Sequence, residues 1–426
     1  CFTDSSISKE EMIVDLFVLC FQTRNCRGGK GERDLFRKFF TELFFKYPNT
    51  STKLFPLILH FGFGKDLISL CENALVNKSK DRRYHLLYNQ LLQFCCQKLM
   101  FEYSSLKGTQ DKGIDPIPIS LLAKWCPSNE KHLLTKKLAY AMFPRSLNKS
   151  QNNHAFREYR KVRTFLNRHL DVTEIKMCSN SWDKINPTSV SSLCLQKKMK
   201  ALINESLKSN PLEQEMDTGN RFPDDPVRVA CRKNFRKALL EQNIKKLNGK
   251  QLFPHEIVKR LMSDSKSASS MEIEILQSQW DSIKDNLREQ LKQESFESGN
   301  SSTSVNLGKL IPLSDVSFSM NGIPMEVSIA LGILVSELTH PQLANRILTF
   351  DTNPSWIQLN GSDSLSTKVN QVINSPWGGS TDFRQALHLI LNVCESSKLN
   401  PKEIPNLIVF SDMQFDVHYH NGHISG

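Results

Sequence analysis

Three short stretches near the C-terminal end carry oxygen donors in a pattern that suits metal chemistry. They are Asp315-Val-Ser317-Phe-Ser319, Gly378-Gly-Ser-Thr381-Asp382 and Ser411-Asp412. Two carboxylates (Asp315, Asp412) and three hydroxyls (Ser317, Ser319, Thr381) form an all-oxygen set. Hard divalent ions such as Mg²⁺ or Mn²⁺ take such ligands, whereas Zn²⁺ favours nitrogen and sulfur. Mg²⁺ keeps waters in its octahedral shell, so an incomplete protein shell leaves room for a ligand's own carboxylate or phosphate. The competing explanation is chance plus helix capping, because Ser, Thr and Asp are also the residues that cap helices. No Ser-His-Asp or Cys-His arrangement can be assembled by spacing, and the aspartates have no evident general-base partner. The set therefore predicts ligand binding rather than catalysis.

Such donors act together only if strand ends and helix starts bring them together. The sequence from Lys309 onward has the required alternation. Apolar strands are predicted at Leu310 to Val316, Arg346 to Phe350, Trp356 to Leu359 and Leu407 to Phe410. Helices are predicted at Met325 to Leu338, Leu365 to Ile373 and Phe383 to Val393. This pattern implies a doubly wound, mostly parallel sheet with helices on both faces. Pro312 within the first strand is a mild objection, since proline cannot donate to a ladder. Ligands bind such sheets at the carboxyl ends of the strands. With the strand order 3-2-1-4, the first and fourth strands are neighbours, roughly 5 Å apart. Asp315 and Asp412 would then face one another.

The first 200 residues read as helices instead. Ser8 to Glu11 is a capping-box pattern, followed by Met12–Ile13, Leu16–Phe17 and Cys20–Phe21 at every fourth residue. A second period of four runs through Leu35–Phe36, Phe39–Phe40 and Leu43–Phe44, and a third amphipathic stretch spans Tyr84 to Met100. Short connections between such helices indicate a bundle or an irregular solenoid, with no repeat of fixed period. Ser209 to Pro226, Ser263 to Ser270 and Ser295 to Ser304 have linker composition, and a Gln/Glu/Lys-rich helix is expected around Trp280. The predicted layout is an α-helical repeat domain over 1–262, a helix and flexible linker over 263–308, and a partial α/β domain over 309–426.

The 426 residues carry a formal charge of +11, spread unevenly. From Lys309 onward there are 6 basic and 10 acidic residues, against 49 and 34 before it. A basic module beside an acidic one points to an anionic partner such as nucleic acid. No apolar run is long enough to span a bilayer. Eleven scattered cysteines without a C-x-x-C pair read as reduced thiols of a cytoplasmic or nuclear protein. The start at Cys1 reads as that of a fragment.

Three further features invite functional readings. Arg24 to Arg33 and Gly62-Phe-Gly-Lys65 suggest phosphate loops, but neither fits G-x-x-x-x-G-K-[ST], so helix connections are favoured. Helical spacing puts Arg157, Arg160, Lys161, Thr164 and Arg168 on one face, with Tyr159 and Phe165 nearby. Basic residues interleaved with aromatics can grip nucleic acid, although a solvated face is the plainer reading. His418, His420 and His423 resemble a metal tract, with chance as the alternative.

Asp-x-Ser-x-Ser followed by a later Thr and Asp resembles the metal-ion-dependent adhesion site (MIDAS) of von Willebrand factor A domains. The resemblance implies direct coordination by Ser317, Ser319 and Thr381, with Asp315 and Asp412 acting through water and hydrogen bonds. Phe318 departs from the small residue usual there. It also implies about two further strands and helices after Asp412, so that this chain would be truncated and its sheet edge exposed. A broader likeness rests on Arg27-Gly-Gly-Lys-Gly-Glu-Arg-Asp34, Gly64-Lys-Asp66, Ala123-Lys-Trp-Cys-Pro-Ser128, Lys176-Met-Cys-Ser179, Pro254-His-Glu-Ile257 and Phe410-Ser-Asp-Met-Gln-Phe-Asp416. These resemble the uncharacterised family named domain of unknown function 2828. Its layout is similar to the Ro autoantigen (TROVE-like), which pairs HEAT-like helical repeats with a von Willebrand A-like domain and binds RNA. The resemblance implies a binding protein: an acidic protein or phosphate ligand at the metal, and RNA on the helical part. A protein-assembly scaffold without nucleic acid and a metal-dependent phosphohydrolase are the alternatives.

Overall fold

The structure, a computed structural model, describes residues 8–25, 28–112, 118–129, 131–144, 152–206, 219–241, 246–264, 268–297, 306–315, 318–350, 354–375, 383–396, 404–412, 418–420 and 423–425. Its residues group into two units, Cys1–Ser179 and Asn180–Gly426. No helix among the described residues is long and apolar enough to cross a membrane.

Unit 1 is built from helices α1 (Lys9–Arg24), α2 (Asp34–Lys46), α3 (Pro48–Lys53), α4 (Phe55–Phe61), α5 (Gly64–Asn77), α6 (Arg82–Lys112), α7 (Leu122–Trp125), α8 (Leu133–Met142), α9 (Asn152–His169) and α10 (Thr173–Cys178). The capping box expected at Ser8 is present. The Glu11 amide donates to Ser8 Oγ at 3.2 Å and the Ser8 amide donates to Glu11 Oε2 at 2.8 Å. Apolar residues at helical spacing turn inward, and Phe21, Phe36, Phe40, Phe44 and Phe55 are all buried in one aromatic core. Arg24 is buried too, and its charge is met by Asp66 at 2.8 Å. Gly62 to Lys65 joins α4 to α5, as the helix-connection reading requires.

Unit 2 contains α11 (Ser192–Leu202), α12 (Pro226–Leu240), α13 (Pro254–Asp264), α14 (Ser270–Glu297), α15 (Ile323–Leu338), α16 (Leu365–Ile373) and α17 (Phe383–Ser396). Its strands are β1 (Leu310–Asp315), β2 (Arg346–Phe350), β3 (Trp356–Gln358), β4 (Asn406–Phe410), β5 (His418–His420) and β6 (His423–Ser425). The main sheet has the order β3-β2-β1-β4. β1 runs parallel to β2 and β4, with Leu313 opposite Leu348 and Val409.

β3 pairs antiparallel to β2, so the four-stranded sheet is mixed, with its other two pairings parallel as a mostly parallel sheet requires. Only five residues separate Phe350 from Trp356, far fewer than the dozen or more that a parallel crossover needs. Pro312 is accommodated because the ladder with β2 starts at Leu313, one residue later.

Successive strand residues face opposite helices. Ile311, Leu313 and Leu348 pack with Ala386, Ile390 and Cys394 of α17. On the other face Gly332 of α15 lies against Ser314 and Ile347. The long helix α14 is seated by Trp280, which is fully buried. Its Nε1 donates to Glu337 Oε2 of α15 at 2.9 Å. Lys284 and Lys368 reach the same carboxylate at 3.1 and 2.5 Å.

Candidate metal site and basic face

β1 ends at Asp315, and its carboxylate is wholly buried. β4 registers Phe410 against Ser314, so the next residue, Ser411, arrives beside Asp315. Ser411 Oγ donates to Asp315 Oδ2 at 2.6 Å. Asp412 follows at the same edge and is half-buried. α15 fixes this corner from one side. Ser314 Oγ donates to Ser328 O and Ser328 Oγ to Phe410 O, both at 3.3 Å. After β1 the chain makes a 3-10 turn, Phe318–Met320, that anchors Met320 inside and leaves Ser319 exposed. Gly322 then enters α15 with φ 93°, a conformation that a side chain would strain.

The structure thus brings Asp315 and Asp412 to the carboxyl ends of neighbouring strands, with Ser319 on the turn that follows the first. Ser317 and Thr381 lie outside the described residues, as do Gly378 to Ser380 and Asp382. Among the described residues no group of three or more His, Cys, Asp or Glu could hold a metal. The described donors are all oxygen, which fits Mg²⁺ or Mn²⁺. Ser411 was not in the expected ligand set. Its position before Asp412 was visible, but only the β1–β4 register shows that it meets Asp315. The β5–β6 hairpin sets His420 opposite His423 along the backbone.

The basic face forms as expected, without its aromatics. Arg157, Arg160, Lys161, Thr164 and Arg168 of α9 are exposed, and Lys161 pairs with Glu158 at 2.7 Å. Ala155, Phe156, Tyr159, Val162 and Leu166 form the buried arc. Tyr159 is only 1% exposed and donates to Pro127 O at 2.8 Å. Phe165 sits edge-on to Tyr103. Both rings belong to the core and offer no stacking platform. The net positive charge lies in this unit. Residues 1–179 hold 29 basic and 17 acidic side chains, a net of +12, whereas residues 180–426 hold 26 and 27, a net of −1.

The nine described cysteines are free thiols, and seven of them are buried. Burial pushes the Cys20, Cys96 and Cys231 thiols up to about 12.

Comparison with known proteins finds family matches in two stretches of the chain. Residues 309–423 match the family described as domain of unknown function DUF7788. An uncharacterized protein of Acanthamoeba polyphaga mimivirus is 31% identical over 405 residues, which cover 93% of this chain. The chain spans 64% of the length of that relative. Residues 68–209 match domain of unknown function DUF2828, which supports that uncharacterised family for the helical segment.

Proposed function

We propose that the chain is a non-catalytic binding protein whose sheet edge holds a divalent ion that bridges to an acidic protein or phosphate ligand. The observation that carries this reading is the Ser411–Asp315 contact, which sets Asp315 and the residue before Asp412 side by side at the ends of adjacent parallel strands. Such an edge is where open α/β sheets bind ligands. The likeness to von Willebrand A domains supports the same arrangement, with Ser317, Ser319 and Thr381 as direct ligands. The free thiols suit a cytoplasmic or nuclear setting.

A second reading concerns unit 1. Its exposed cations on α9 and its net charge favour RNA as partner, in a Ro-like layout of HEAT-like helices beside an adhesion-type domain. Calorimetry on the full chain tests the first reading. Mg²⁺ or Mn²⁺ should bind, and D315N or D412A should weaken that binding at least about tenfold, in keeping with the loss of a ligand-orienting group. Unchanged binding in both variants sinks the site. Turnover of a generic phosphoester that disappears in D315N would replace the binding protein with a phosphohydrolase.

A further inference from the structure

Two motifs from the sequence, Gly64-Lys65-Asp66 and Ala123-Lys124-Trp125-Cys126-Pro127, meet in unit 1. The start of α5 lies hard against the backbone of α7. A Cβ on Gly64 would come within 2.8 Å of Leu122 Cα and 3.0 Å of Leu121 O. α9 fastens the same short segment at three points. Asn167 Nδ2 donates to Ala123 O at 3.2 Å, Arg163 Nε to Cys126 O at 2.8 Å and Tyr159 Oη to Pro127 O. On this immobilised backbone Trp125 is 38% exposed. Lys65 Nζ stands 5.4 Å from its ring centroid and Lys124 Nζ 6.0 Å. Lys124 also pairs with Glu174 at 3.2 Å.

A tryptophan held rigidly and left in water is a ready contact surface, because its ordering cost has already been met by the fold. Its surroundings select the partner. Arg160 lies three residues before Arg163, and Thr164 three before Asn167, so the exposed stripe of α9 borders the flank that grips α7. The unit's net charge of +12 calls for an anion. The carboxylates of an acidic peptide would satisfy the cations but not the indole. A single-stranded nucleic acid uses both, stacking a base on the ring while its phosphates meet the ammonium and guanidinium groups. We infer that Trp125, with the flexible Lys65 and Lys124 side chains over its ring and the Arg160–Arg168 stripe on the neighbouring helix, is a stacking site for single-stranded RNA, whose base would take the place of an ammonium on the ring. This inference rests on the RNA reading of unit 1 given above.

The test uses the full chain and a fluorescein-labelled oligouridylate at low salt, read by anisotropy and by tryptophan quenching. W125A should bind about tenfold more weakly, and W125F should recover part of that loss without the quenching. K65A and K124A should each lower the salt dependence as well as the affinity. If W125A and W125F both bind and quench as the wild type does, while charge reversal on α9 still weakens binding, the stacking site is overturned and the RNA reading stands. No binding by the wild type at low salt overturns both. Equal capture of oligoglutamate, lost in W125A, would assign the surface to an acidic protein instead. Circular dichroism confirms that each variant keeps its helices, and W125F decides the question if W125A does not.

Discussion

Ser411 Oγ donates to Asp315 Oδ2 at 2.6 Å, joining the end of β4 to the end of β1. The contact exists because parallel register carries Ser411 level with a carboxylate that has no exposure to water. A buried carboxylate with one donor fewer is costly, so S411A should destabilise unit 2 by about 1–3 kcal/mol. It should also loosen the Asp315 carboxylate and weaken Mg²⁺ binding several-fold. Urea unfolding and calorimetry on the same variant check both. A variant as stable and as well bound as the wild type would show that the hydroxyl has no part in the site.

The close seat of α15 on β1 gives a second prediction. A Cβ at Gly332 would meet Ser314 Oγ at 2.3 Å but Ser314 Cβ at an ordinary 3.5 Å. G332A should therefore cost roughly 1–3 kcal/mol through overpacking. In the S314A background the same change should cost little, because the clashing oxygen is gone. A double-mutant cycle reads the difference as a coupling energy. Strict additivity would place the clash elsewhere.

Much of this corner was readable from the chain. The expected strand Arg346 to Phe350 and helix Leu365 to Ile373 coincide with β2 and α16, and the order placing Asp315 beside the end of β4 is the observed one. Period-two and period-four patterns survive because burial of one face enforces them. The direction of β3 was readable in principle from its five-residue connection, which alternation of elements overrides. The role of α14 was not. Its Gln- and Glu-rich composition marks a helix next to linkers and says nothing of what it packs on. Yet Gln277 Oε1 accepts from the Leu365 amide at 2.7 Å, and Gln279 Nε2 donates to Asn248 O at 2.9 Å. Buried polar contacts between distant positions leave no periodic signal. Tyr159 is no stacking residue because it lies in the middle of the apolar arc Ala155, Phe156, Val162 and Leu166, whose helical spacing turns it inward.

The thiols separate by environment. Burial pushes Cys71 up to about 12, helped by Cys96, Cys126 and Glu72 nearby. Cys126 rises to about 12 for the same leading reason, against the lowering effect of Arg163. Cys178 is exposed. Alkylation needs the thiolate and access to it. Iodoacetamide near pH 8, followed by mass spectrometry, should label Cys178 on the order of a hundredfold faster than Cys71 or Cys126. Equal rates in the folded chain would contradict the packing of α5 and α7.

Glu337 is the hub that holds α14, α15 and α16 together, and its charge gives the last prediction. Burial alone pushes its carboxyl up, but Lys284 beside it and hydrogen bonds from Lys368 and Trp280 outweigh that and hold it below its ordinary 4.5. Burial likewise pulls Lys284 down, yet Glu337 and Asp281 outweigh it and raise it above 10.5. A carboxyl lowered on folding adds stability that is present above 4.5 and fades as pH falls through the folded value. An ammonium raised on folding adds stability that is present below 10.5 and fades as pH rises through the folded value. The pair therefore stabilises unit 2 most across the neutral range. E337Q keeps the shape and some hydrogen bonding but removes the charge. The gap in stability between wild type and E337Q should be widest near neutrality and narrow below 4.5. E337A goes further, because Lys368, whose side chain is 4% exposed, then loses both the counter-charge and the oxygen that accepts its hydrogen bond. That should cost about 3–5 kcal/mol. Urea unfolding across a pH series, followed through tryptophan fluorescence, measures each value. A gap that stays constant from acid to neutral pH would mean that the carboxylate acts by shape alone.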